Sequence, residues 1–111
     1  MLETRQPPPP YVPHDGTVRI SGSTRPWGAA CCALHFLSNG KSPIDFLAIG
    51  GNANQQATKA MVSFAIHVPK RHPGYSVAFV PLMFSTETVS PIGDKATKTC
   101  TVWRTIIRVD A

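Results

Sequence analysis

The chain has 111 residues, of which 42% are hydrophobic, and a formal net charge of +5. That length favours one domain. Size scaling buries about two-thirds of the unfolded surface, enough for a core without disulfide or metal staples. No apolar run reaches the roughly 18 residues of a membrane span, and Met1–Pro10 lacks the apolar segment of a secretory signal.

Residues 1–16 read as an extended arm. Pro7, Pro8, Pro9 and Pro10 are consecutive and Pro13 follows. Such a run favours polyproline II and cannot build a core. A domain is expected over 17–109. Its first strand is Thr17–Ser21, where polar and apolar residues alternate. Gly22 breaks that strand, Pro26 suits the first turn of a helix, and Ser23 or Thr24 is placed to cap it. The helix from Trp27 to Leu37 carries one apolar stripe of Trp27, Cys31, Leu34 and Leu37 and another of Ala29, Cys32 and Phe36, so burial on two sides is expected. Asn39-Gly40 supplies a left-handed stop.

Ile44–Ile49 is a strongly apolar segment of the kind found in the middle of a sheet. Gly50, Gly51 and Asn52 then turn the chain into a second helix, Ala53–Val68, expected to end at Pro69. Its core stripe is Ala53, Ala57, Met61, Phe64 and Val68. Val62 and Ile66 fall off that stripe and are expected to meet a partner chain. Tyr75–Phe84 reads as a strand on which Pro81 marks an edge or a bulge. Ser85–Ala96 reads as a long hairpin loop, and Thr97–Val109 as a final strand rich in Thr, Val and Ile. The order is β-α-β-α-β-β. The first crossover is expected to be right-handed, placing the first two strands parallel with the first helix over one face.

Catalysis and metal binding find no support in these residues. His14, His35, His67 and His72 stand apart from any nucleophile motif, and Asp45 and Glu87 make no recognisable carboxylate pair. Cys31 and Cys32 are neighbours on a helix, so they diverge by about 100° and read as small core residues. With Cys100 far off, no zinc site is expected. No enzyme activity and no cofactor are expected. The odd cysteine count fits reduced thiols in a cytoplasmic compartment.

Charge gives the functional lead. Between Thr17 and Val109, ten Lys/Arg stand against three acids, a net +7. A basic domain attracts polyanions. Arg25 lies in the first strand-to-helix loop, and Lys95 and Lys98 flank the hairpin loop. If Trp103 and Ile107 face the helices, Arg19, Arg104 and Arg108 line the opposite face. Val102 and Ile106 interleave with those arginines, which makes that strand apolar on both faces. The Gly50-Gly51-Asn52 turn opens a helix, where free N–H groups and the dipole can hold an anion. It has neither the spacing of a P-loop nor that of a dinucleotide fingerprint.

Two segments carry a resemblance. Ser21-Gly-Ser-Thr-Arg-Pro26 leads into the small-residue helix Gly28-Ala-Ala-Cys-Cys-Ala-Leu34. Ala48-Ile-Gly-Gly-Asn-Ala-Asn-Gln-Gln-Ala-Thr-Lys-Ala60 follows an Ile-Gly turn with a Gln-Ala-x-Lys-Ala helix start. Over Thr17–Val109 the chain resembles the stage V sporulation protein S family of the Alba-like group. It differs in having Ser23 where that family offers a lysine, and Gln55 where it has Asn. The resemblance implies the Alba-like α+β fold in two layers, with two helices on one face of a four-stranded mixed sheet. It also implies dimers, and DNA or RNA bound through the first loop and the strand 3–4 hairpin, which places Arg25, Lys95 and Lys98 in those roles. The expected function is a non-enzymatic nucleic-acid-binding module acting as a dimer. The alternative is an architectural subunit of a larger assembly, docking through the Pro-rich arm and the second helix.

Overall fold

A computed structural model describes residues 8–110 of the chain. The part of the Pro-rich arm before Pro8 lies outside the described residues. The elements are β1 (Thr17–Ile20), α1 (Pro26–Ser38), β2 (Asp45–Ala48), α2 (Gly51–Arg71), β3 (Tyr75–Val89) and β4 (Lys95–Val109). The sheet order is β1-β2-β4-β3. β1 and β2 are parallel, and β4 runs antiparallel to both β2 and β3. The result is a two-layer α+β fold with a four-stranded mixed sheet. Both helices pack on one sheet face, where Val18, Ile20, Phe46 and Ala48 meet Ala30, Leu34, Ala57 and Phe64. Phe46, Phe64 and Phe79 make a ring cluster at the centre, with centroids 5.9–6.4 Å apart.

Small residues allow the close packing of the layers. α1 buries Ala29, Ala30, Ala33 and Leu34. α2 buries the expected stripe of Ala53, Ala57, Met61, Phe64 and Val68, with Ala60 added. The outer side of α1 differs from the sequence expectation. Trp27 is 49% exposed and lies against the His67 ring at 4.8 Å. Cys32 is exposed and Cys31 only half-buried, so neither is a core residue. Ala29, Ala30, Ala33 and Leu34 face the core, Phe36 and Leu37 pack at its margin, and Trp27 and Cys32 are left outside.

Helix ends also differ. Arg25 occupies the N-cap of α1 without a side-chain cap bond. Ser21 and Thr24 instead bond to each other, Ser21 N–H donating to Thr24 Oγ1 at 2.8 Å, which closes the loop as a local turn. α1 stops as expected: Gly40 takes φ 71°, and the Lys41 and Gly40 N–H groups reach back to the carbonyls of Phe36 and Leu37. α2 begins at Gly51, after Gly50 with φ 87°, and no side chain caps it. It also runs past Pro69 to Arg71. A proline that close to the end removes one helical N–H, and the His72 N–H still caps the Val68 carbonyl at 2.8 Å.

The largest difference lies in the hairpin. Residues 85–89 and 95–96, expected as loop, are strand, so β3 and β4 form a long ribbon. Thr86, Thr88, Val89, Thr97 and Thr99 favour extended backbone and outweigh the scattered polar character. Only residues 90–94 turn, closed by the Ser90 N–H on the Asp94 carbonyl at 2.8 Å. Pro81 sits in β3, an edge strand, as a proline in a sheet must. Among the described residues no helix is long and apolar enough to cross a membrane.

Candidate nucleic-acid interface

The short β2 determines where the sheet ends. Its last row joins Ala48 to Thr101 of β4, and Thr101 to Met83 of β3. Beyond that row, residues 84–89 and 95–100 continue as a two-stranded ribbon. At the same end β1 leads into the loop 21–25 and β2 leads into the N-terminus of α2. These two segments touch. The Gln56 amide donates to the Thr24 carbonyl at 2.9 Å, and a Cβ placed on Gly22 would meet Asn52 Cβ at 3.1 Å. Trp103 anchors the juncture from below, its Nε1–H donating to Asn54 Oδ1 at 3.1 Å. Arg25 and the Gly50-Gly51-Asn52 turn therefore belong to one exposed surface.

The lysines stand further out. At the rise of a strand, Lys98 is about 10 Å and Lys95 about 20 Å beyond the last sheet row. They point to opposite sides of the ribbon, because Lys98 shares the parity of Val102 and Lys95 that of Trp103. Lys95 lies 3.5 Å from Glu87, both well exposed, a pair of little energetic weight.

Trp103 and Ile107 pack into the helix-side core. Arg19, Arg104 and Arg108 consequently stand on the opposite face. They do not form one patch. Arg108 is about 34 Å from Lys98 along β4. Arg104 is engaged internally: its Nε and Nη2 donate to Oδ1 and Oδ2 of Asp45, both at 2.9 Å. That fork removes Arg104 from the charges open to a phosphate. None of Arg19, Arg25, Lys98 and Arg108 pairs with a described carboxylate. Val62 and Ile66 are exposed on α2, 55% and 51%, on the side away from the sheet.

The same face holds a cluster that sequence reasoning missed. Asp45 is fully buried. Besides the Arg104 fork, its Oδ2 takes Tyr11 Oη at 2.9 Å and His14 Nε2 at 2.8 Å. Burial alone would raise the Asp45 pKa, but the bonds from Arg104, His14 and Tyr11 outweigh it and hold the carboxyl below its ordinary range. Tyr11 is pushed up to about 12 by burial, with the Asp45 charge adding to the effect and the Thr17 bond opposing it. Asp45 in turn holds the Arg104 guanidinium above its usual value. The Gly16 N–H donates to His14 Nδ1 at 3.1 Å, which makes Nε2 the protonated nitrogen. Both ring nitrogens are thus in use, and neither is left to take a proton from a substrate. One signal was present in the sequence: Asp45 is the only charge in the apolar run Ile44–Ile49, and a charge buried there requires partners.

The arm runs over this cluster. Ser85 on the β3 edge donates N–H to the Pro9 carbonyl at 2.9 Å and accepts the Tyr11 N–H at 3.0 Å. Its Oγ donates to the Pro8 carbonyl at 2.8 Å. The Tyr11 ring meets Phe84 edge-on at 5.2 Å. Beneath lies a second apolar cluster of Leu47, Cys100 and Val102, with Tyr11, Leu82 and Phe84 against it. Val102, which interleaved awkwardly with the arginines in sequence, is buried there.

No protein-family model matches the chain, and no curated protein matches it.

Proposed function

We propose that the protein is a polyanion-binding module of the Alba-like kind, resembling the stage V sporulation protein S family and taking DNA or RNA phosphates at the loop-and-ribbon end of its sheet. One observation carries this reading: Arg25, the open N-terminus of α2 and the lysine-bearing ribbon emerge from the same end of the fold. Backbone N–H groups at a helix start and flexible cations suit phosphate contacts that carry no sequence readout. Arg19 and Lys98 can extend the contact along the arm-side face, and Arg108 lies too far away to join it. Binding to a duplex or single strand should weaken steeply as salt rises. Changing Arg25, Lys95 and Lys98 together to Ala should lower the salt slope by about 2–3 units. An unchanged slope would remove these residues from the interface.

A second reading rests on Val62 and Ile66, which leave an apolar strip on a helix whose other face is fully packed. In that reading the protein is an architectural subunit, pairing with a second copy or with other proteins through α2 and the arm. The double substitution V62E/I66E should leave folding within about 0.5 kcal/mol of the wild type, as surface changes do. It should also abolish dimer or complex formation seen by sedimentation; an unchanged sedimentation profile would refute this reading.

A further inference from the structure

We propose that Pro8–Tyr11 is a docking segment for a domain with an aromatic-lined polyproline groove, and that the protein's own sheet holds this segment closed. The inference deepens the protein-interaction reading at the arm and is independent of polyanion binding. Pro8-Pro9-Pro10-Tyr11 places a proline pair two residues before an aromatic side chain. Proline fixes φ near −65°, so the extended form is preorganised and little entropy is lost on binding. Grooves of the WW and SH3 type lodge prolines of such a helix between aromatic rings, and a flanking tyrosine fills an adjacent slot.

The groups such a groove would use are divided between exposed and sequestered. The Pro9 and Pro10 rings are exposed. The carbonyls of Pro8 and Pro9 are taken by Ser85. The Tyr11 ring lies on Phe84, and its hydroxyl is shared between Thr17 Oγ1 at 2.8 Å and Asp45 Oδ2 at 2.9 Å. A groove can therefore meet the proline rings on the closed arm, but takes the tyrosine only after the arm lifts. Apparent affinity is then the intrinsic affinity multiplied by the open fraction. Lifting uncovers Cys100, which is 1% exposed beneath Tyr11, Leu82 and Phe84.

That thiol reports the opening. The probe is an isolated WW-type domain that accepts Pro-Pro-x-Tyr ligands, titrated into the full-length chain. Ser85→Pro removes the N–H and hydroxyl that hold the arm, on an edge strand where a proline is tolerated. It should bind the probe at least about tenfold more tightly than the wild type, reflecting a larger open fraction. Adding Tyr11→Ala to it should abolish the binding. In a C31S/C32S chain, where Cys100 is the remaining thiol, saturating probe should accelerate alkylation several-fold. Equal affinity of wild type and S85P would overturn the proposal. If S85P does not fold, alkylation of the C31S/C32S chain decides, and a rate unmoved by the probe overturns it equally. Failure here leaves the α2 surface to its own test with V62E/I66E.

Discussion

Replacing Arg104 by Met keeps the aliphatic stem and removes the fork on Asp45. Asp45 is fully buried and would retain Tyr11 and His14 but lose its only permanent cation. Breaking a buried ion pair from one side costs about 3–5 kcal/mol. The lower end, about 3 kcal/mol, applies here, because the Arg104 side chain is 37% exposed and two donors remain. With an unfolding entropy of about 2.1 cal/mol/K per residue, that corresponds to a Tm lower by about 13 °C. The pH dependence supplies the sharper check. Asp45 is held below its ordinary range, so around pH 4 the folded chain binds fewer protons than the unfolded one. The site's stabilisation is therefore complete above the unfolded carboxyl value of about 3.9 and is lost as pH falls through the lower folded value. The gap between R104M and wild type, measured by urea unfolding, should be full at pH 7 and shrink in acid. A D45N/R104M cycle at pH 7 should show a coupling of about 2 kcal/mol. A gap below about 1 kcal/mol at pH 7, or one of equal size at pH 7 and pH 3, would refute the assignment of Asp45 as a paired buried carboxylate.

Trp103→Phe removes the indole donor to Asn54 and should cost about 1 kcal/mol in urea unfolding. The same change should speed exchange of the Asn54 amide, which donates to the Gly50 carbonyl at 3.0 Å, and unaltered exchange there would mean that the bond does not anchor this end of α2. Gly16→Ala places a methyl group against the Pro43 carbonyl, a backbone atom that cannot turn aside. Overpacking of this kind costs about 1–3 kcal/mol. Because Gly16 also passes its carbonyl to the Asp45 N–H at 2.9 Å, the variant should raise Cys100 alkylation as the arm loosens.

Much of the fold was legible because its elements carry strong local signals. The α2 stripe repeats at spacings of three and four, and five of its residues are buried as the pattern requires. Asn39-Gly40 ends α1 where the left-handed residue falls. Parity along β4 set Arg104 and Arg108 opposite Trp103 and Ile107, and the structure turns Trp103 and Ile107 to the helix side. The ribbon was not legible, because residues 85–96 bury little and local pattern reading depends on burial. Their pairing comes from the register of the long β3–β4 ladder, a non-local property. Trp27 misled for a related reason: stripe membership says which residues share a helix face, not how far that face extends under the neighbouring helix. The Asp45 cluster joins residues up to 59 positions apart, and no spacing rule connects them.

The arm and the buried aspartate account for each other. A carboxylate inside a sheet is costly unless several donors converge on it. Arg104 supplies two of them from the adjacent strand, and the arm supplies the other two through Tyr11 and His14. The arm has no core of its own, being rich in proline, and would gain little by lying on a purely apolar face where its carbonyls found no partners. Asp45 and Ser85 give it fixed polar attachments at either side of the Leu47–Cys100–Val102 cluster. Arg104 is thereby a structural cation. The arm's other attachment, Ser85, pairs with Thr99 in the row next to Lys98, so a polyanion at the loop-and-ribbon end and a polyproline groove on the arm would be close neighbours there without sharing Arg104.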